Sequence, residues 1–124
     1  MEDGRVDVIQ TVLGPVEASA LGRTLMHEHV FIRTLEIEQN WLERPDHDAM
    51  VADAVARLRE LKDSGIDTIV DLTVPGLGRH VPDVLEVAER VDIHIVAATG
   101  YYTYDALPHY FDFRTPQFRA AFRP

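Results

Sequence analysis

His27 and His29 flank Glu28 at the end of an apolar run, TLMHEHV at residues 24–30, in a chain with only six histidines. If the run is a strand, side chains alternate between faces, so both imidazoles point one way and Glu28 the other. Rings about 7 Å apart along one face converge on a single ion, and neutral imidazole suits Zn, Co, Fe or Ni. Glu28 is then not a ligand; from the far face it would anchor a neighbouring loop or strand. The spacing differs from HExxH, where two histidines one helical turn apart bind and the glutamate is the base. A bare HxH pair also fits two hydrogen-bonded core histidines, and the residues alone leave both readings open. The chain has no cysteine, which excludes disulfides and thiolate ligands. A metal would rest on His, Asp, Glu or a modified side chain.

Other chemistry-bearing residues say less. His47, His80, His94 and His109 stand isolated and read as surface or core; His94, between Ile93 and Ile95, needs a partner if buried. PGLG at residues 75–78 lacks the lysine and the glycine spacing of a phosphate cradle, so it reads as a turn. Asp71 closes an apolar run, where it either serves structure or supports a histidine from behind.

The elements that must position these residues follow from periodicity. Residues 6–12 (VDVIQTV) predict a strand, with Gly14 and Pro15 as the turn after it, and residues 23–30 predict the next strand. Phe31 to Arg44 has no clean period and reads as a loop with one helical turn. Residues 47–64 predict the clearest helix: Val51, Ala54, Val55, Leu58 and Leu61 share a face, Asp46 or Asp48 caps the start, and Gly65 ends it. IDTIVDLTV (66–74) and VDIHIVAATG (91–100) read as buried strands. Between them VPDVLEVAER (81–90) is a helix with Val84, Leu85, Val87 and Ala88 inward. An aromatic loop, YYTYDALPHYF, and a helix candidate at 116–122 follow. Alternating strands and helices, with strands apolar on both faces, predict an α/β fold built on a parallel sheet.

Twelve basic against 21 acidic residues give a net charge of −9, which opposes a polyphosphate partner, so no nucleic acid is expected. No apolar stretch reaches the ~20 residues of a membrane span. MEDGRVDVIQ lacks the basic-then-apolar order of a signal peptide, so cytoplasmic residence is the default.

GRTLMHEHV resembles the signature that opens the phosphotriesterase family, part of the amidohydrolase superfamily of metal-dependent hydrolases. VDLTVPGLGR is similar to that family's second-strand segment, and VAATGYYTYDALPHYF to its third strand and following loop. Order and spacing agree over roughly residues 8–113. Arg23 departs from the usual apolar residue after the glycine; it lies outside the ligands.

The resemblance implies the N-terminal portion of a TIM-type (β/α)8 barrel: an initial strand or hairpin and about three β/α units, residues 1–124 forming a single incomplete domain. A whole barrel needs about 250 residues, so about half is expected here. The resemblance further implies that His27 and His29 bind the more buried of two divalent cations, zinc first, with cobalt, iron or manganese as alternatives. The remaining ligands, a carboxylated lysine, two histidines and an aspartate, would come from later strands. The implied reaction is hydrolysis of an ester bond by a metal-activated water, with the aspartate collecting the proton. In the lactonase branch a tyrosine at the position of Tyr102 lies beside the reacting water, and Tyr104 lines the pocket. That favours a lactone or carboxylic ester, with phosphotriester cleavage as a side activity; amphipathic loop packing accounts for the tyrosines equally well. Family members are often homodimers. Two rivals remain: a catalytically incomplete half-barrel that binds a metal weakly or pairs with another chain, and an α/β domain holding a small anion at a helix N-terminus.

Overall fold

The computed structural model describes residues 7–41, 45–100 and 102. It begins with an antiparallel hairpin of β1 (Val8–Thr11) and β2 (Gly14–Glu17), in which Gln10 pairs with Pro15 and Thr11 with Gly14. The turn therefore falls on Val12 and Leu13, not on Gly14 and Pro15. Both strands of a two-stranded ribbon are edges, a position that tolerates proline. The Thr11 hydroxyl donates to the Gly14 carbonyl at 2.7 Å and closes the turn. The Val12 N–H donates to the Ile95 carbonyl at 2.9 Å, tying the hairpin to the main sheet.

That sheet is parallel, in the order β3 (Thr24–Glu28), β4 (Thr68–Asp71), β5 (His94–Ala97). Between β3 and β4 lie α1 (Leu35–Asn40) and α2 (His47–Asp63); α3 (Val81–Ala88) joins β4 to β5. The strands are shorter than the apolar runs that contain them. In β4 the cause is local: the Asp71 carboxylate accepts the Thr73 N–H at 2.9 Å, an Asx turn that takes the chain out of the ladder.

Asp46 caps α2 as its sequence predicts, accepting the Ala49 N–H at 3.1 Å. Gly65 follows with φ +96°, a conformation that costs a glycine nothing. One face of α2 (Val51, Ala54, Val55, Leu58) and one of α3 (Val84, Val87, Ala88) bury against Ile66 and Ile69 and against Ile93 and Ile95. Each fully buried Val or Ile contributes about 1.5–3 kcal/mol by leaving water. α3 corrects the expectation in one respect: Leu85 is exposed and Asp83 is buried. Asp83, Val84, Val87 and Ala88 form one continuous arc of the helix surface, and Leu85 falls outside it.

Ile93, just before β5, and Ile95 on it enter this core, while His94 and Val96 alternate with them, half-buried. On β3, Met26 is 69% exposed. The helices α2 and α3 thus cover one face of the sheet, and the chemistry lies on the other. No helix among the described residues is long and apolar enough to cross a membrane. The helix expected at 116–122 and the loop residues Tyr101 and 103–111 lie outside the described residues.

Candidate metal centre

In a regular strand Leu25, His27 and His29 would share a face, because they are two apart. Leu25 packs against the core on the α2 side. An irregularity in β3 separates His27 from it. Leu25 pairs with Ile69 and Glu28 with Asp71, so three residue steps on β3 stand against two on β4. The extra residue re-phases the chain. Glu28 returns to the α2 side, bordering a space with Leu25, Leu58 and Leu61. Its backbone carbonyl takes the Leu72 N–H at 2.9 Å, so the expected anchoring of a neighbouring segment runs through the main chain.

His27 and His29 then border one recess of about 290 Å³, with ring centroids 5.4 Å apart and planes inclined at 72°. His29 lies just past the strand end, where the chain turns, and also borders the space on the α2 side. Its Nδ1 is 3.0 Å from the Thr73 hydroxyl, which leaves Nε2 as the nitrogen available to a cation. Leu72, Val74, Leu77 and Ala98 form the apolar wall of the recess, and Tyr102, 61% exposed, stands at its margin. The Tyr102 N–H donates to the Pro75 carbonyl at 3.2 Å, which ties the segment after β5 to the loop after β4. Tyr104 lies outside the described residues.

Two imidazoles that border one recess at the carboxyl end of a parallel strand offer donors for part of a divalent cation's shell, which takes four or more. Among the described residues no group of three or more His, Asp or Glu side chains forms a complete set. The PGLG segment is a turn, as expected: the Leu77 N–H donates to the Val74 carbonyl at 2.9 Å.

A polar cluster beside the site was not legible as such. Asp83, with its side chain 7% exposed, accepts from Arg33 Nη1 at 3.0 Å and lies 3.0 Å from His80 Nδ1. Arg33 also places Nε and Nη2 on Glu38 at 3.0 and 2.8 Å. His47 Nε2 is 2.8 Å from Glu86, and that hydrogen bond, with the nearby charges of Glu86, Asp83 and Asp48, raises the imidazole pKa against a smaller opposing effect of desolvation. His47 and His80 are therefore not isolated: His47 meets Glu86 from 39 residues away, and His80 meets Asp83 three residues on, at the start of α3. His94 remains half-buried on the open face of β5, and His109 lies outside the described residues. The sequence hints of the cluster were the three-residue spacing of His80 and Asp83 and an acid in the first turn of a helix, both too common to single out.

Comparison with known proteins identifies the fold to which this recess belongs. A sequence profile of the phosphotriesterase family matches residues 7–120. The chain belongs to the phosphotriesterase family. It is 54% identical over 109 residues to a phosphotriesterase homology protein of Mycobacterium tuberculosis, covering 87% of this chain and 33% of that protein. It is 36% identical over 96 residues to an aryldialkylphosphatase of Saccharolobus solfataricus, covering 77% of this chain and 31% of that one. The solved structure of the phosphotriesterase from Mycobacterium tuberculosis superposes with a TM-score of 0.81 at 53% identity, over 89% of this chain and 34% of that one. The α/β architecture is thus the N-terminal portion of a TIM-type barrel. The chain spans about a third of the length of the curated relatives it matches, not the expected half, because those relatives exceed a minimal barrel.

Proposed function

We propose that this chain supplies the first two metal ligands and part of the substrate wall of a metal-dependent hydrolase acting on ester bonds. The observation that carries the reading is the pair of imidazoles, 5.4 Å apart, bordering one recess at the carboxyl end of β3. Two divalent cations, zinc first, would supply Lewis acidity and a water of lowered pKa.

The chain's own residues define the rest of the reading. His27 and His29 offer imidazole lone pairs. Leu72, Val74 and Leu77 exclude water beside them, which strengthens any charge interaction in the recess. The Tyr102 hydroxyl is a hydrogen-bond donor for a carbonyl or leaving oxygen, and Tyr104 extends the aromatic margin. An apolar wall with one phenolic donor suits a lactone or carboxylic ester, with phosphotriester cleavage as the lesser activity. The substrate is a small molecule, and the enzyme is cytoplasmic and homodimeric on this reading, with no nucleic acid or membrane partner.

The test is metal analysis and hydrolysis assays on the full polypeptide that carries these residues. Bound zinc lost in His27→Ala and His29→Ala, with lactone hydrolysis exceeding phosphotriester hydrolysis, is the expected result. Metal content equal to the parent's in both variants would sink the metal reading. Unchanged lactone turnover in Tyr102→Phe would remove the role given to the phenol. The rival, a half-barrel that binds a cation weakly without catalysis, draws on the lack of a third ligand among the described residues. It predicts weak metal binding and no hydrolysis of either substrate.

A further inference from the structure

We propose that Thr73 is a positioning residue for His29: its hydroxyl accepts the Nδ1–H and so holds the ring in the tautomer that leaves the Nε2 lone pair free for a cation. The inference rests on the metal reading of the same recess and assigns a role to a residue outside the ligand set.

Neutral imidazole carries one N–H, and which nitrogen bears it is decided by the partner of the other. The Thr73 hydroxyl is 3.0 Å from Nδ1. It is not a surface group that can drift, since Thr73 is 2% exposed. The β-branched side chain is stiff about χ1, and its main chain is held as well. The Thr73 N–H donates to the Asp71 carboxylate at 2.9 Å, and Asp71 is also 2% exposed. Asp71 in turn lies in the ladder, opposite Glu28 on one side and Ala97 on the other, with its carbonyl taking the Ala98 N–H at 2.9 Å. The sheet, the Asx turn, the hydroxyl and the imidazole therefore form one chain of fixed contacts. His27 differs: among the described residues neither of its ring nitrogens has a hydrogen-bond partner. The device acts on one ligand of the pair.

A threonine hydroxyl can also donate. If it did so here, Nδ1 would be the bare nitrogen, Nε2 would carry the proton, and the recess would face an N–H that repels a cation. The two arrangements differ in a measurable way. In the metal-free full polypeptide, nitrogen NMR of the His29 ring should show Nδ1 protonated and Nε2 bare; the reverse overturns the proposal without any variant. Zinc affinity, measured by competition with a chromophoric chelator, should fall about 10–100-fold in Thr73→Val. It should return to within a few-fold of the parent in Thr73→Ser, which restores the hydroxyl. The visible spectrum of the cobalt-loaded protein should change in Thr73→Val and recover in Thr73→Ser. Zinc binding lost in His29→Ala but retained in Thr73→Val overturns this proposal alone. Binding indifferent to His29→Ala overturns the metal reading, and the proposal with it.

Discussion

Leu25 and Glu28, three residues apart, border the same space against α2, although a regular strand would set them on opposite faces. The extra residue between them, on β3 against β4, is what sets Glu28, rather than His27, beside Leu25. A bulge of this kind re-aims side chains at the rim of a barrel.

Deleting Met26 should therefore remove the irregularity without reversing the histidines. Leu25 and Glu28 would then stand two steps apart, against the two steps from Ile69 to Asp71 on β4, so regular alternation keeps Glu28 on the α2 side and leaves His27 and His29 on the other. Metal content should stay near the parent's in the deletion, as in the Met26→Ala substitution at the same exposed position. Metal content that falls to the level of the His27→Ala variant in the deletion would show that strand phase alone does not aim the rings.

Asp83 joins α3 to Arg33 in the segment after β3. Removing its carboxylate leaves the half-buried guanidinium with Glu38 alone. Asp83→Ala should cost about 3 kcal/mol, the low end for breaking a buried pair, because Arg33 keeps that second partner. Denaturant unfolding of the full polypeptide measures this, and a loss below 0.5 kcal/mol, the range of an ordinary surface change, would demote the cluster to decoration.

The Glu86 hydrogen bond raises the His47 pKa, so the folded state holds that proton more tightly than the unfolded chain. The contribution to stability is complete below the unfolded value, about 6.5. It fades as pH rises through the folded value. A proton NMR titration should give His47 a midpoint above 6.5, returned toward it by Glu86→Gln. A midpoint at or below 6.5 in the parent protein contradicts the contact.

Gly78 has φ +79°, and a Cβ there would stand 2.0 Å from the Arg33 carbonyl oxygen. That atom is backbone, and the Arg33 N–H is already bonded to the Leu77 carbonyl at 3.0 Å, so it cannot move aside alone. Gly78→Ala should cost more than the ~1–3 kcal/mol of left-handed strain by itself. The loop carrying Leu77 into the recess should shift with it. A thermal midpoint equal to the parent's would rule out the close approach.

Much of this architecture was legible in the chain because it depends on local rules. The period of Val51, Ala54, Val55 and Leu58, with Asp46 before it and Gly65 after it, specifies α2 without reference to anything distant. The apolar runs that hold β4 and β5, alternating with helices, specify a parallel sheet. HxH at a strand end indicates that two imidazoles share a side. Local rules could not say which side, because the phase of β3 depends on its register with β4. They also read Gly14 and Pro15 as a turn, since the pairing of Gln10 with Pro15 is a property of two strands. His47 looked solitary because Glu86 lies 39 residues away on α3, whereas the His80–Asp83 contact, three residues apart, was within reach of local rules. Leu85 looked inward because the arc of α3 is set by what it packs on. Thr73 and His29, 44 residues apart, had no signal linking them. Secondary structure follows from neighbours in the chain; the aim of a side chain and the partner it meets follow from the packing of distant segments.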